Sequence, residues 1–363
     1  MAKAKSSLSS VVSNSLKGGF DLNNFKASKF LNKNSKFKDQ QWIPFSKALQ
    51  DALSVPGIPE GHITIVRGGS DTGKTTLVLE TAIEAQKKGI LPVFIITEMK
   101  WNWEHPVKMG FELVEIPDPE TGEIINYEGF FMYVDRSSLD TIEGVAEFIG
   151  DLLNEQGKGN LPYDLLFIWD SVGSIPCKMS VEQGKNNPMW NAGAMATQFG
   201  NFINQRFPMS RKFGTPYTNS FLVINKTGVQ PPEGPMGRPK MTNKGGNAMY
   251  WDASLVITFG NITNSGTSKI KAVKNKKNVE FAKRTKIAVD KNHINGVQTT
   301  STVIATAHGF IPDTPNAVDK YKKLYSGEWF NDGEKGEITT IEDNSEWEEP
   351  KTFNPVLVDV EDD

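Results

Sequence analysis

The stretch from Ile65 to Glu80 reads IVRGGSDTGKTTLVLE, and it decides the fold class of this chain. An apolar run ends in a glycine-rich turn, which is followed at once by a lysine, two threonines and a helical pattern. Gly68, Gly73, Lys74 and Thr75 fit the spacing G-x-x-x-x-G-K-[ST] of a loop that binds nucleotide phosphates. In such a loop the backbone N–H groups turn inward on the phosphates, and the positive end of the helix dipole adds to their attraction.

The whole turn is expected to contact the nucleotide. The lysine reaches the β- and γ-phosphate oxygens, and the first threonine hydroxyl binds Mg²⁺. ATP and Mg²⁺ are therefore the expected cofactors. The predicted contacts in the turn are Gly68, Gly69, Ser70, Asp71, Thr72, Gly73, Lys74, Thr75 and Thr76.

Two carboxylates at the ends of later apolar runs complete the expected chemistry. Asp170 ends LLFIWD and is the candidate that positions the metal together with Thr75, whereas Asp164 begins the same run and lies at its other end. Glu98 ends LPVFIITE on the carboxyl edge of the expected sheet, where it would orient or deprotonate the attacking water. Glu104 is a rival for that role, and a Glu98 that merely caps the next helix is the structural alternative.

Apolar strands alternate with helices along most of the chain. The pattern predicts an α/β fold whose mainly parallel central sheet is covered by helices on both faces. The helix from Lys74 to Lys88 places Val78, Ala82 and Ala85 on one face. The expected strands are HITIVRG, LPVFIITE, FFMYVD, LLFIWDS, FLVIN and SLVITFG, with SKIKAVKN and RTKIAVD extending the sheet at its edge.

Two long polar segments interrupt this alternation. One runs from Pro176 to about Pro188, and the other runs from Thr227 to Gly246. Long loops inside a compact domain usually serve a function or lack regular structure. Both segments are therefore candidates for a binding role.

Size and composition are those of a globular protein. The chain has 363 residues, 38% hydrophobic residues and one cysteine, Cys177, which excludes an internal disulfide. Its first ten residues lack the apolar core of a secretory signal, and no apolar run approaches the ~20 residues needed to cross a bilayer. We therefore expect a soluble, intracellular protein without a membrane partner.

Charge is unevenly distributed along the chain. The net charge is −3, but the segment from Glu337 to Asp363 has ten acidic residues and one base, Lys351, so the remainder carries +6. A basic body suggests a polyanionic partner, with which an acidic tail could compete. The alternative is a tail that only aids solubility.

The order of motifs resembles the RecA family of DNA recombinases. The series is GGSDTGKTTL, FIITE, FIWDSV, FLVINK, GGNAMYWDASLVI and KAVKNKK, and YSGEWF resembles the glycine–tryptophan–aromatic element after the family's core. KASKFLN near the N-terminus is similar to the UvsX-type recombinases of phages. The resemblance covers roughly residues 25–330 and implies a RecA-like P-loop ATPase that acts in the cytoplasm of a phage's bacterial host.

The resemblance also implies roles for single residues. Glu98 is the carboxylate that activates water, Asp170 and Ser171 form the metal-side motif, and Asn225 senses the γ-phosphate. Lys274 and Lys276 match lysines that reach the ATP of the adjacent subunit. The structural alternative for this pair is a solvated basic strand. Lys226 stands where the bacterial family has a glutamine, so the link from the γ-phosphate to DNA would differ here.

In the family the two long loops line the filament axis and hold single-stranded DNA. Lysines, an arginine and two glycines in these loops are expected to meet its phosphates, in a salt-sensitive and sequence-independent way. Val229 and Met236 are candidates to wedge between bases. The expected DNA-binding residues are Lys178, Lys185, Arg238, Lys240, Lys244, Gly245 and Gly246.

The resemblance divides the chain into four expected parts. They are an oligomerisation arm at 1–40, the ATPase and DNA-binding core at 41–310, a short C-terminal element at 311–336 and the acidic tail at 337–363. The arm would pack on a neighbouring subunit in a helical filament on single- and double-stranded DNA. The tail would restrain DNA binding or recruit single-strand-binding or loader proteins, and a full bacterial-type C-terminal domain is not expected.

Two other functions stay open at this point. A DnaB-like replicative helicase shares the fold and DNA dependence but forms closed hexamers. A KaiC-like signalling ATPase would use the same core without DNA, although the lysine-bearing loop before GGNA disfavours it.

Overall fold

A twelve-stranded sheet dominates the described part of the chain. The structure, a computed structural model, describes residues 40–183, 197–198, 200–201, 216–230, 240–243, 248–262, 268–330 and 339–341. The expected arm at 1–40 and the acidic tail lie almost wholly outside these residues, so the four-part division stays a prediction.

The strands of the described residues are numbered in chain order. They are β1 (Trp42–Pro44), β2 (Gly57–Pro59), β3 (Ile63–Gly68), β4 (Leu91–Ile96), β5 (Val114–Pro117), β6 (Ile124–Glu128), β7 (Met132–Asp135), β8 (Leu165–Val172), β9 (Ser220–Gln230), β10 (Lys240–Asn243), β11 (Leu255–Gly260), β12 (Lys269–Lys274), β13 (Lys277–Asn292), β14 (Thr300–Thr306), β15 (Gly309–Pro312) and β16 (Thr339–Ile341).

The helices are numbered in the same way. They are α1 (Lys47–Leu53), α2 (Lys74–Lys87), α3 (Glu104–Lys108), α4 (Ile142–Lys158), α5 (Lys178–Gln183), α6 (Ala248–Asp252) and α7 (Pro315–Tyr325), and a short 3-10 turn covers Ser326–Glu328.

Six parallel strands form the centre of the sheet, in the order β11-β3-β9-β8-β4-β7. All residues of β4 and of β8 are buried, as expected for strands that are covered on both faces. The parallel register brings the carboxyl ends of β3, β4, β8 and β9 to one edge, where ligands bind in such sheets. The predicted α/β fold class is confirmed.

Two apolar clusters cover the two faces of this sheet. Helix α2 packs on one face through Val78, Ala82 and Ala85, which are all buried as predicted. Helix α4 packs on the other face, and it begins where the Thr141 hydroxyl accepts a hydrogen bond from Gly144 N at 3.3 Å. The phosphate-loop helix is therefore fixed against a buried sheet.

Antiparallel strands extend the sheet beyond β11. Strand β13 pairs with β11, β12 and β14, and β14 pairs with β15. The predicted edge extension is confirmed. A third cluster holds the C-terminal element on it, where Trp329 stacks on Phe281 with ring centroids 4.5 Å apart.

Both predicted long loops contain regular structure. In the first, Lys178–Gln183 forms the short helix α5. In the second, Thr227–Gln230 prolongs β9 and pairs antiparallel with β10. No helix or strand was expected in these segments, because their polar composition lacks the apolar periodicity that identifies one. The hairpin β5–β6 was also not anticipated, since its side chains are mostly exposed and lack a buried face.

Candidate nucleotide-binding site

The glycine-rich turn between β3 and α2 has the backbone shape of a phosphate loop. Gly68 and Gly73 have φ angles of 145° and 96°, and Asp71 has a φ of 57°. A Cβ at Gly68 would lie 2.2 Å from the Phe259 carbonyl oxygen, and a Cβ at Gly73 would lie 3.1 Å from the Phe310 ring. Glycine is required at both positions for conformation and for space.

Lys74 is the first residue of α2 and lies at the centre of the turn. Only 7% of the surface of Lys74 is exposed, and its Nζ donates a hydrogen bond to the Gly69 carbonyl oxygen. The Thr72 hydroxyl donates to the same oxygen at 3.0 Å. An ammonium group held inside a turn at the N-terminus of a 14-residue helix fits a phosphate ligand.

The predicted metal ligands meet across the sheet edge. Thr75 Oγ1 donates to Asp170 Oδ2 at 3.5 Å, and Asp170 is buried near the end of β8. A hydroxyl beside a carboxylate is the oxygen pair that positions Mg²⁺ in phosphate loops. Asp164 lies at the opposite end of β8, where it accepts from Thr218 N at 2.7 Å, as its position in the sequence predicts.

Glu98 lies beside the metal-side motif. It follows β4 by two residues, and its N–H donates to the Asp170 carbonyl oxygen at 3.3 Å. Its carboxylate Oε1 accepts from Ser171 Oγ at 2.6 Å. Glu104 instead opens the short helix α3 with an exposed side chain. The geometry brings Glu98, Asp170 and Ser171 together and favours Glu98 over its rival.

Asn225 and Lys226 lie on β9 next to the phosphate loop. In the parallel register Asn225 pairs with Arg67, and Lys226 pairs with Gly68. Asn225 is buried, with 3% of its surface exposed. The side chain of Lys226 lies outside the described structure, so its substitution for the family's glutamine stays untested.

Lys274 and Lys276 do not join the phosphate loop of their own chain. They flank Asn275 at the turn between β12 and β13, where Asn275 and Lys276 have φ angles of 51° and 66°. Lys283 on β13 does contact the loop, and the turn lies six residues, or roughly 20 Å of strand, before Lys283. The structure thus separates the pair from the site within one chain.

Lys283 is a site residue that the sequence analysis missed. Its Nζ donates to the Asp71 carbonyl oxygen at 2.7 Å and brings a cation to the outer side of the phosphate loop. The sequence gives no signal for it, because Lys283 is one of several lysines on a basic strand. Only the pairing of β13 with β11, next to β3, brings it to the loop.

Glu80 connects the phosphate-loop helix to the antiparallel extension. Its Oε1 accepts from Phe310 N at 2.7 Å, where β15 crosses α2. Burial raises the pKa of Glu80 to about 7, and the hydrogen bond from Phe310 offsets part of this effect. A largely buried carboxylate therefore joins the phosphate-loop helix to the antiparallel extension.

The predicted DNA-binding residues are described only in part. Lys178 is exposed at the start of α5, with Nζ 3.4 Å from Glu147 Oε1. Lys240 opens β10, where its backbone pairs with Gln230 in the same hairpin that contains Val229. The others, with Met236, lie outside the described residues; they are Lys185, Arg238, Lys244, Gly245 and Gly246.

Comparisons with known proteins find similarity to RecA proteins. A family model described as the RecA N-terminal domain matches residues 27–149. The chain is 25% identical over 241 residues to Protein RecA of Campylobacter hominis, a match that covers 64% of this chain and 60% of that protein. It is 30% identical over 206 residues to Protein RecA of a Wolbachia from Brugia malayi, covering 51% of this chain and 57% of that protein.

A third relative gives the same result. Protein RecA of Brucella canis is 28% identical over 253 residues, which cover 65% of this chain and 60% of that protein. The chain thus spans less than two thirds of the length of the relatives it matches. These relatives are bacterial, so the resemblance to the phage branch stays a prediction. Among the described residues, no helix is long and apolar enough to cross a membrane.

Proposed function

We propose that the chain is a member of the RecA family and, from this premise, that it is an ATP-dependent DNA recombinase. It would form filaments on single-stranded DNA and promote homologous pairing and strand exchange in recombination and repair in the cytoplasm. The observation that carries the proposal is the meeting of Lys74, Thr75, Asp170 and Glu98 at one sheet edge. The RecA relatives favour this function over a helicase or a DNA-independent signalling ATPase.

Each residue of the edge has a distinct task in ATP hydrolysis. Lys74 and the N–H groups of the turn would hold the phosphates, and Thr75 and Asp170 would hold Mg²⁺, which would neutralise phosphate charge when bound. Glu98 orients the attacking water and accepts its proton. Ser171 keeps the Glu98 carboxylate beside the metal-side motif through the 2.6 Å hydrogen bond.

The proposed site is completed by a second subunit. Lys274 and Lys276 flank the turn between β12 and β13, and Lys276 is exposed there. In a filament this turn would reach the ATP of the adjacent subunit. A cation supplied across an interface stabilises transition-state charge, and comparable groups raise rates by ~10³–10⁵. Hydrolysis would thereby depend on assembly.

The proposal assigns DNA binding to the two loop regions. Lys178 on α5 and the hairpin β9–β10 with Lys240 belong to the described parts of these regions. The exposed pair of Lys178 with Glu147 would be exchanged for a DNA phosphate. The arm at 1–40 would pack on a neighbour, Lys226 would take over the switch role of the family's glutamine, and the acidic tail would restrain duplex binding or recruit accessory proteins.

ATP turnover and strand exchange test the proposal directly. Wild-type protein should hydrolyse ATP faster with single-stranded DNA and should pair it with a homologous duplex. Lys74→Ala should lose both activities, since removal of one preorganised donor costs ~10²–10³ in rate. Lys87→Ala, an exposed position at the end of the same helix, is the matched control. Turnover indifferent to DNA, without strand exchange, would contradict the proposal.

A further inference from the structure

Two serine hydroxyl groups form a hydrogen-bonded series that begins at the Glu98 carboxylate. Ser171 Oγ lies 2.6 Å from Glu98 Oε1 and 2.7 Å from Ser174 Oγ. The turn that joins the two serines is closed by a hydrogen bond from Ser174 N to the Ser171 carbonyl oxygen at 3.2 Å, and Gly173 within it has a φ of 83°. The backbone therefore holds both hydroxyls on one side.

The donor and acceptor in each hydrogen bond of this series follow from the number of protons that each group can donate. An ionised carboxylate can only accept, so Ser171 must donate its one hydroxyl proton to Glu98. Ser171 then has only lone pairs to offer, and Ser174 must be the donor in the bond between the two serines. Hydrogen bonds in such a series polarise one another, so the outer hydroxyl strengthens the bond to the carboxylate.

Hydrogen bonds from residues of the sheet edge hold Ser171, the inner serine of the series. The Thr97 hydroxyl donates to the Ser171 carbonyl oxygen at 2.9 Å, and Trp169 Nε1 donates to the Thr97 hydroxyl at 3.2 Å. These bonds fix the backbone of Ser171, while the bonds to Glu98 and Ser174 place its hydroxyl. The bond from Ser174 favours the rotamer in which Ser171 faces Glu98.

Ser174, the outer serine of the series, lies four residues before Lys178, the first residue of α5. Ile175 and Cys177 are buried, and the Pro176 carbonyl oxygen accepts from Ile142 N at 3.0 Å. Lys178 N donates to Glu143 Oε2 at 2.9 Å. The segment from Ser174 to Lys178 thus packs as one unit with the start of α4, and it connects the Ser174 hydroxyl to the first residue of α5.

We propose that Ser174 is a positioning residue of the hydrolytic site, which orients Glu98 through Ser171 according to the placement of α5. This inference rests on the proposed function, because Glu98 is there the residue that orients water and α5 contains a DNA-binding lysine. It adds a residue that touches neither nucleotide nor DNA. Its role is to transmit the position of one region to the other.

Steady-state kinetics of Ser174→Ala provide the first test. Without the outer donor we expect DNA-stimulated kcat to fall about fivefold, which matches the loss of one ordinary hydrogen bond, while KM for ATP stays unchanged. Ser174→Thr retains the hydroxyl and should restore the rate. Ser137→Ala removes an exposed hydroxyl that also bonds a carboxylate, that of Asp135, and should have no effect.

A double-mutant cycle separates positioning from a general structural role. If Ser174 acts through Ser171, then Ser174→Ala should cause no further loss of kcat in a Ser171→Ala background. Additive losses, a change in KM alone, or a Ser174→Ala rate equal to that of Ser137→Ala would overturn the inference. The same holds if Ser174→Thr is as slow as Ser174→Ala.

Hydrogen exchange gives a readout that does not require activity. Coupling is reciprocal, so Glu98→Ala should raise amide exchange in residues 175–183 of the nucleotide-free protein several-fold. Glu104→Ala is the matched control, and Ser174→Ala should abolish the difference between wild type and Glu98→Ala. Unchanged exchange in Glu98→Ala would overturn the inference. A protein without DNA-stimulated turnover would refute the proposed function instead, and exchange would still decide the role of Ser174.

Discussion

Glu80→Gln should stabilise the folded protein at alkaline pH but hardly at acidic pH. The ordinary glutamate pKa of 4.5 describes the unfolded chain, whereas burial raises the pKa of the folded state to about 7. The unfolded state therefore ionises first. Stability is lost as pH rises from about 4.5 to about 7, and the loss is complete above that range. Glutamine keeps an oxygen that accepts from Phe310 N and cannot ionise.

The size of the effect follows from the two pKa values. Their difference corresponds to about 3 kcal/mol of unfolding free energy at most, of which about 2 kcal/mol falls between about pH 5.5 and about pH 8.5. Urea unfolding measures this effect. The unfolding free energy of Glu80→Gln minus that of wild type should be about 2 kcal/mol larger at about pH 8.5 than at about pH 5.5.

Glu147→Gln is the control for this experiment. Glu147 lies on α4 with an exposed side chain, its Oε1 is 3.4 Å from Lys178 Nζ, and it does not contribute to the pKa shift of Glu80. Its replacement should give nearly the same small difference from wild type at both pH values. The reasoning would be refuted if Glu80→Gln and wild type lost stability in parallel between the two pH values, since Glu80 would then ionise alike in both states.

Three further predictions concern the loop, the interface and the tail. Gly73→Ala should lower the unfolding free energy by about 2 kcal/mol, and Gly89→Ala should lower it by about 1 kcal/mol. Both glycines have a positive φ, but only a Cβ at Gly73 would contact an aromatic ring, that of Phe310. Equal losses in urea unfolding would contradict this. Lys276→Ala should cut DNA-stimulated ATP turnover ~10²-fold or more, whereas Lys269→Ala should not, and equal rates would remove the interface role. Deletion of Glu337–Asp363 should strengthen duplex-DNA binding in a filter or anisotropy assay at moderate salt, and unchanged affinity would reject a restraining tail.

Local sequence patterns predict the site best where one segment contains both the motif and its context. The phosphate loop is of this kind, because strand, turn and helix are contiguous, and Gly68 and Gly73 each have a conformational reason. Asp170 and Glu98 were also predictable, since parallel strands bring their carboxyl ends to one edge. The six parallel strands follow from continuous apolar runs for the same reason.

Residues brought to the site by strand pairing were beyond sequence reasoning. Lys283 reaches Asp71 only because the antiparallel β13 continues the sheet beside β11, and nothing in its surroundings in the sequence distinguishes it from neighbouring lysines. Phe310 packs near Gly73 because β15 crosses α2. The Ser174 hydroxyl belongs to a turn whose geometry depends on Gly173. Long-range pairing and side-chain rotamers, rather than local pattern, determine these contacts.

Electron microscopy with single-stranded DNA, Mg²⁺ and a non-hydrolysable ATP analogue tests the central claim most directly. If ATP binds between subunits and the lysine turn of a neighbour completes the ATP site, open helical filaments should form with the analogue and be absent without it. Closed rings, or protomers that stay unassembled with all three components present, would contradict the account.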